Sequence, residues 1–261
     1  MKYYLVIFLF ISFTALAENL RVLTVMEPPS SYISEQGVPT GYAVDIFNLL
    51  VKNTDFENDY TIEFVPEARV LNIADQKSNI VFFAFSRTAL REDKYHWIGA
   101  VATKKWQAYA LKHSNIHIDS IEQLKQFPMI GVVRGDVREE WLIDQGFVNL
   151  VSVTQHEQNV KLLLMGRLPI IAFENQGLTF ITRKLNEDAS VIKPIFTLNK
   201  ANNYIAMSKK QTDMKMVKEL KARYLAIKKN GALHALSVKW QSELENTYKI
   251  QSEIDGDLLS F

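Results

Sequence analysis

Short apolar runs alternate along the chain with segments whose apolar residues recur at helical spacing. The runs at 20–26, 60–66 and 79–85 have the branched and aromatic content of strands. The segments at 42–54 and 68–77 instead place their apolar residues three and four positions apart. An alternation of strands with helices predicts a parallel sheet covered by helices on its faces.

The second half of the chain repeats this alternation. Strands are predicted at 128–135, 168–174 and 204–210, and helices at 118–127, 136–147, 157–167, 175–186 and 213–240. Asp119 or Ser120 is the expected cap of the first of these helices, and Asp136 that of the second, with Glu139 three residues on. Gly231 breaks the long C-terminal helix in two, and residues 251–261, without a period, are expected to be a loose tail.

The two halves, each of about 90 residues, predict two α/β lobes. In such lobes ligands lie where the carboxyl ends of strands meet helix N-termini. Two charged stretches, 85–92 and 133–140, fall at predicted junctions of this kind. The first of them presents Ser86, Arg87, Thr88 and Arg91 directly after a buried strand, which indicates either an ordinary helix start or an anion-binding site.

Composition narrows the class of protein. The chain has 261 residues, 48% of them hydrophobic, and a formal net charge of +1. A balance so close to neutral gives no indication of a nucleic-acid partner. The chain has no cysteine, which excludes disulfides, thiolate metal sites and a cysteine nucleophile.

The N-terminus has the pattern of an export signal. Lys2 supplies a positive charge, 4–13 is almost entirely apolar, and 15–17 reads Ala-Leu-Ala. The apolar run is shorter than the roughly 20 residues of a membrane span. We expect a signal peptide over 1–17 and an exported protein; a retained anchor is the alternative, and it would leave the Ala-x-Ala site without a purpose.

No motif of catalysis is present. The five histidines form no metal-binding pattern, and the pair His113 and His117 lies in a segment that reads as a linker. There is no nucleophile elbow, phosphate-binding loop or dinucleotide fingerprint. The sequence therefore predicts no catalytic residue, no metal ligand and no cofactor.

Five motifs, in order, carry a resemblance to a known family. They are a double proline followed by aromatics and Gly-aromatic-x-x-Asp (27–50), a Thr-x-x-Arg segment with a following aromatic (85–101), a strand-glycine-helix junction (124–142), a Gly-Arg strand that ends in an acid (163–174) and a terminal helix ending in Lys-Trp (216–240). Together they resemble the periplasmic substrate-binding proteins of ABC importers, polar-amino-acid type (bacterial solute-binding protein family 3).

The resemblance implies a two-lobed periplasmic-binding-protein fold of type II, with a hinge of two crossing strands. The first lobe is expected at 18–108 with 202–248, the second at 109–201, and the tail at 249–261. The crossings are expected near 106–110 and 199–204. Ligand binding between the lobes would close the hinge.

The resemblance also implies ligand-binding residues. Arg91 matches the arginine that holds a ligand carboxylate, and a guanidinium in a dry cleft suits that task. Ser86 matches a hydroxyl that binds the same carboxylate, and Ala84 a position that offers a backbone group. Glu174 matches an acid that binds the α-amino group. Thr88 is equally compatible with a helix cap.

Several positions depart from the family pattern. Asp136 stands where a threonine is common, and an ionised carboxylate cannot donate to an anion; its simplest role is the helix cap. Arg87 stands where most members are apolar, and Arg69 is retained from a subgroup of the family. Tyr32 or Tyr42 would replace the usual aromatic cover, although Tyr42 is equally compatible with the core.

The pocket is expected to be more acidic than is usual, because Glu27 and Glu67 join Asp136 there. Such a pocket would favour a ligand with an extra cation, such as a basic amino acid or a polyamine-like molecule.

The function implied is capture of a small, amino-acid-like ligand by a monomeric periplasmic protein for the membrane permease of an ABC importer. Two alternatives remain: a sensory binding protein that presents its ligand to a membrane receptor, and a small-molecule dehydratase on the same fold. The favoured interpretation is not an enzyme, since an acid and an arginine are needed for amino-acid binding alone.

Overall fold

The structure is a computed structural model that describes residues 20–57 and 59–261. The signal peptide predicted over 1–17 lies outside these residues. The strands are β1 (Leu20–Thr24), β2 (Tyr32–Ile33), β3 (Pro39–Thr40), β4 (Tyr60–Phe64), β5 (Ile80–Ser86), β6 (Tyr95–Leu111), β7 (Ile130–Val133), β8 (Leu150–Val153), β9 (Ile170–Phe173), β10 (Ile192–Ser208), β11 (Glu253–Asp255) and β12 (Leu258–Ser260).

The α-helices alternate with these strands, as the sequence pattern predicts. They are α1 (Tyr42–Val51), α2 (Glu67–Gln76), α3 (Ile121–Lys125), α4 (Val137–Asp144), α5 (His156–Leu164), α6 (Asn175–Lys184), α7 (Met214–Lys229) and α8 (Ala232–Asn246). Short 3-10 helices lie at Lys112–Ser114 and Ala189–Val191.

Within the described residues one sheet runs through the whole molecule in the order β4-β1-β5-β10-β6-β9-β7-β8. Strand β1 pairs in parallel with β4 and β5, and β7 pairs in parallel with β8 and β9. Between these two parallel parts, β6 and β10 pair with each other antiparallel from Ile192 to Ser208. Parallel strands covered by helices are what the alternation in the sequence predicts.

The long strands β6 and β10 join two separate sets of hydrophobic core. Two core clusters use side chains from 20–102 and 204–261, and two others use side chains from 108–198. We call these ranges the first lobe and the second lobe. The segments 103–107 and 199–203, where β6 and β10 pass between the two sets of core, are the crossing segments.

Local sequence signals explain how several helices begin. Ser120 caps α3 by accepting from the backbone N–H of Gln123, and Asp136 caps α4 by accepting from that of Arg138. Both caps were expected from the sequence. Gly231 separates α7 from α8 with a left-handed φ of 78°, a conformation that glycine adopts without strain.

Three segments differ from the sequence-based expectation. Residues 89–94 form turns rather than a helix, because β6 already begins at Tyr95 and buries its aromatic side chains in the first lobe. The strand expected at 204–210 is the end of the much longer β10. The expected loose tail contains the hairpin of β11 and β12, whose Leu259 is buried opposite Ala102 of β6. The Gly-Asp pair at 256–257 forms the two-residue loop and is a hairpin signal that periodicity alone does not detect.

Among the helices of residues 20–57 and 59–261, none combines the length and the apolar character needed to cross a bilayer.

Candidate functional site

Six charged or titratable side chains are buried where the two lobes meet, and we call them the interlobe charge cluster. Its members come from the first lobe, from a crossing segment and from the second lobe: Glu27, Lys104, Asp136, Arg138, His156 and Glu174. Buried charges are costly unless they are paired, so each pairing in this cluster matters for both stability and binding.

Arg138 is the centre of the cluster. Its Nη2 donates to Oε1 of Glu27 at 3.0 Å, which joins the second lobe to the first. Its Nε donates to Oδ1 of Asp136 at 2.7 Å, and its Nη2 also donates to the second oxygen of that carboxylate. The same Nη2 lies 3.5 Å from Nε2 of His156. One guanidinium thus compensates two buried carboxylates.

Lys104 reaches the cluster from the crossing segment of β6. Its Nζ lies 3.1 Å from Oε2 of Glu27 and 3.5 Å from Oε1 of Glu174. Only 1% of the Lys104 side chain is exposed. An ammonium group of this chain therefore contacts the acid that the family resemblance assigns to a ligand ammonium.

Helix starts place two of the carboxylates. Asp136 is the N-cap of α4, and Glu174 is the N-cap of α6, where its Oε1 accepts from the backbone N–H of Gly177 at 3.1 Å. Both helix N-termini therefore point toward the interlobe region. Acids are stabilised at such positions by free N–H groups and by the helix dipole.

The carboxyl groups divide into two electrostatic classes. Burial raises the pKa of Glu27, but Lys104 and Arg138 outweigh burial, and the pKa lies below its ordinary value. Burial also raises the pKa of Asp136, but Arg138 outweighs burial and holds that pKa well below the usual range. Burial together with Asp136 raises the pKa of Glu67 well above its ordinary value. Burial also raises the pKa of Glu174, and the Glu27 carboxylate adds to this effect, while Lys104 opposes it only in part.

Arg91 binds the second lobe at a separate point. Its Nε donates to Oε2 of Glu140 at 2.7 Å, and its Nη2 donates to the carbonyl oxygen of Gly135 at 3.0 Å. Only 2% of the Arg91 side chain is exposed, against 30% for Glu140. Burial opposes the charge on Arg91, yet the hydrogen bond that it donates to Glu140 leaves its pKa raised. The predicted carboxylate-binding arginine thus holds a carboxylate of its own chain.

Asn203, in the other crossing segment, orders the end of β5. It accepts from the Ser86 hydroxyl at 2.6 Å and donates to the Ala84 carbonyl at 3.0 Å. Ala84 has a left-handed φ of 71°, so its backbone departs from the regular strand at this point. The structure therefore ties both of these predicted positions to the crossing segment.

The other predicted residues lie outside the cluster. Arg87 is exposed and paired with Glu92, with its guanidinium over the rings of Trp97 and Tyr204. Tyr32 contacts Phe180 of the second lobe and the hydroxyl of Tyr248.

Arg69 and Tyr42 are also placed away from the cluster. Arg69 is exposed on α2, and its charge lowers the pKa of Glu63. Tyr42 is fully buried, and its hydroxyl lies 2.6 Å from Oγ of Ser237, so it belongs to the core. Thr88 precedes turns, so it caps no helix.

Sequence reasoning missed the partners of the predicted residues: Lys104, Arg138, Glu140, His156 and Asn203. The one available signal was the spacing of Arg138 from Asp136. A basic side chain two residues after a helix cap can bind the carboxylate of that cap. The others meet their partners only through the tertiary fold.

The cluster also contains a set of atoms with the spacing of metal ligands. Glu27, Asp136 and His156 each offer one ligand atom within 4.8 Å of the others. However, the guanidinium of Arg138 contacts all three residues. A metal ion would have to displace this cation, so the donor set fits the guanidinium better than a metal.

We expect His156 to make the protein less stable on acidification. Burial and Arg138 lower the pKa of His156 to about 4. Between that value and its ordinary value of about 6.5, the unfolded chain binds a proton that the folded chain does not, so stability falls as pH falls through this window. The full loss is about 3 kcal/mol. Three further groups face the same ring. Asp136 and Glu27 raise the pKa of His156 and Lys104 lowers it, and the value of about 4 includes these effects.

Urea unfolding at a series of pH values from 7 to 4 would measure this contribution. His156→Gln should flatten the decline in stability across the window, whereas His117→Gln, at an exposed position in the same lobe, should leave the wild-type profile in place. An unchanged profile in His156→Gln would contradict the assignment.

Comparison with known proteins identifies a matching protein family. The sequence model of the bacterial extracellular solute-binding proteins, family 3, matches residues 20–243. No curated relative matches the chain.

Solved structures share the fold at low identity. A cysteine-binding protein from Campylobacter jejuni has a TM-score of 0.73 and 15% identity, over 92% of this chain and 94% of that one. The P235GK mutant of ArgBP from T. maritima has a TM-score of 0.73 and 17% identity, over 86% and 95%. A histidine kinase sensor domain similar to periplasmic binding proteins has a TM-score of 0.72 and 16% identity, over 85% and 96%. These likenesses establish the two-lobed periplasmic-binding-protein fold.

Proposed function

Because the chain belongs to the bacterial extracellular solute-binding proteins, family 3, we propose that it captures a small, polar, amino-acid-like ligand between its two lobes. The observation that carries the proposal is the interlobe charge cluster. Glu27 from the first lobe and Asp136, Arg138 and Glu174 from the second meet there in buried positions. Groups from both lobes are needed if a ligand is to stabilise the closed form.

The ligand would replace contacts that the chain makes with itself. A ligand carboxylate at Arg91 takes the place of the Glu140 carboxylate, and a ligand ammonium at Glu174 takes the place of Lys104. Such exchanges conserve the charge balance of the buried site, which keeps their cost low. Ser86, Ala84 and Asn203 lie at the end of β5 and would fix the position of the carboxylate.

The charge of the site favours a ligand with an additional cation. Burial and the neighbouring Asp136 raise the pKa of Glu67 on α2, and a nearby positive charge would favour its ionised form. A basic amino acid supplies that charge beyond its α-ammonium group. Glutamate would instead add a third carboxylate to the same region.

We propose 18–108 with 202–248 and 109–201 as the sequence bounds of the two lobes whose cores are described above, and 249–261 as a C-terminal segment whose β11–β12 hairpin packs on the first lobe. Closure of the lobes is the form that a membrane partner would recognise. The partner is the permease of an ABC importer, and the protein acts as a periplasmic monomer after removal of 1–17. The alternative of a sensory role shares its fold with the sensor domain described above.

Isothermal titration with arginine, lysine, glutamine and glutamate tests the proposal. We expect the two basic amino acids to bind more tightly than the others, and Arg91→Ala to weaken binding by a few kcal/mol, roughly the effect of losing a buried charged partner. Arg91→Lys keeps the charge but loses the two-point geometry, so it should also weaken binding.

The control is Arg167→Lys, at an exposed position in the second lobe, which should bind as the wild type does. Tight glutamate binding without binding of the basic amino acids would contradict the proposed preference. Equal affinity in Arg91→Ala would remove Arg91 from the site.

A further inference from the structure

A second cleft lies beside the crossing segments, away from the interlobe charge cluster. It has a volume of about 820 Å³ and is lined by the 87–92 turns of the first lobe, by α4 of the second and by both crossing segments. We call it the hinge-side cleft. Its size suits a small organic ligand, since ligand pockets commonly measure about 300–1,000 Å³.

One face of α4 forms a wall of the cleft. Val137, Glu140, Trp141 and Asp144 all line it, and their spacing of three and four residues places them on one side of the helix. The wall thus presents an indole between two carboxylates. Asp144 is exposed, and 30% of the Glu140 side chain is accessible.

Acids outnumber bases among the residues that line the cleft. The charged residues are Glu92, Glu140, Asp144 and Asp255 against Arg87 and Lys200. Glu92 is paired with Arg87, and Glu140 with Arg91, which leaves Asp144 and Asp255 against Lys200. The local potential therefore attracts cations and repels anions.

Aromatic rings complete the cleft. Trp106 and Tyr204 line it from the crossing strands, opposite Trp141. The ring of Tyr204 already carries a guanidinium, since Cζ of Arg87 lies 5.3 Å from its centroid. Aromatic faces next to carboxylates are a favourable environment for an organic cation.

Two buried polar atoms in the lining residues have no hydrogen-bond partner within residues 20–57 and 59–261. They are Nε1 of Trp106 and Oγ1 of Thr88. Buried polar groups are normally paired, so these atoms favour a ligand that also carries hydrogen-bonding groups.

We propose that the hinge-side cleft is a second binding site, for an organic cation that also carries a neutral hydrogen-bonding group. The site goes beyond the proposed function, because no member of the interlobe charge cluster lines it. Trp141 and Asp144 bind the cationic group, through the indole face and through charge.

L-argininamide is the probe, since it has two cationic groups and a neutral amide but no carboxylate for Arg91. Titration calorimetry with the full chain should give millimolar or tighter binding. Trp141→Ala and Asp144→Asn should each weaken it about tenfold. Glu122→Gln removes an exposed acid elsewhere in the second lobe and should not change it.

The outcomes separate this site from the proposed one. Asp144 is exposed, so Asp144→Asn keeps the test valid even if Trp141→Ala fails to fold. Argininamide binding that is indifferent to both substitutions would overturn the hinge-side site, as would no binding to the wild type. Loss of amino-acid binding in Arg91→Ala would still support the interlobe site in either case. If argininamide binding depends on Trp141 and Asp144 while Arg91→Ala binds amino acids as the wild type does, only the hinge-side site is supported.

Discussion

Replacing Arg138 by methionine is expected to lower the free energy of unfolding by about 3–5 kcal/mol, the usual cost of removing one partner from a buried ion pair. The guanidinium is 3% exposed and holds the carboxylates of Glu27 and Asp136, which are themselves buried. Methionine fills much of the same volume but leaves Asp136 without its cation and Glu27 with Lys104 alone. The Asp136 carboxylate must then be protonated or hydrated at a large energetic cost.

Urea unfolding at pH 7, followed by circular dichroism, measures this loss. The control is Arg167→Met, at an exposed position in the same lobe, which should change stability by no more than about 0.5 kcal/mol. Arg138→Lys retains the charge but not the forked geometry, and it should fall between the two. A loss in Arg138→Met of less than about 1 kcal/mol would show that the cluster is compensated by other means.

Gly135→Ala is expected to hold the two lobes apart. Gly135, in the second lobe, has a left-handed φ of 73°, and a Cβ atom there would lie 2.8 Å from Cα of Ala68 in the first lobe. The added Cβ and the Cα of Ala68 are both held by the backbone, so no flexible side chain can move aside to relieve the contact. The lobes must separate, which also removes the Gly135 carbonyl from Arg91.

Small-angle scattering would detect this as a larger radius of gyration. The matched control is Gly146→Ala in the same lobe, where φ is 84° but nothing lies within 4 Å of the added Cβ. Both variants should lose about 1–2 kcal/mol from the left-handed backbone, while only Gly135→Ala should change the shape. Equal radii in the two variants would mean that this contact does not limit the approach of the lobes.

The fold could be predicted from the sequence because its signals are local. The alternation of strand and helix patterns, the Ser120 and Asp136 caps and the break at Gly231 all depend on residues close in the chain. The charges at 89–94 are compatible with a helix start, but these residues form turns, because β6 begins directly after them. The Gly-Asp turn of the last hairpin was overlooked because its strands are only three residues long.

The candidate site could be predicted only in part, because its partners are distant in the chain. The family resemblance assigned binding roles to Arg91 and Glu174, but the sequence could not show that Glu140 and Lys104 contact them. Pairs such as Glu27 with Arg138, 111 residues apart, exist only once the lobes are placed together. The titrations described above test whether these side chains bind a ligand.

The self-pairing of the site also bears on affinity. A ligand that binds Arg91 must release Glu140, so the measured dissociation constant includes the free energy of breaking that pair. Substitutions at Glu140 would therefore change the affinity for carboxylates without touching the ligand. A weak affinity in the wild type would be consistent with the proposed site rather than evidence against it.

The positions of the four tryptophans allow the intrinsic fluorescence of the protein to report on the hinge-side cleft. Trp97 and Trp240 are buried in the first lobe, where their indole N–H groups bind Glu92 and Asp45. Trp106 and Trp141 line the hinge-side cleft. Intrinsic emission should therefore contain a constant contribution from Trp240 and a responsive one from Trp106 and Trp141. Trp97 adds to the responsive part, because Arg87 of the cleft lies over its ring. Events in the cleft can thus be followed in real time without a label.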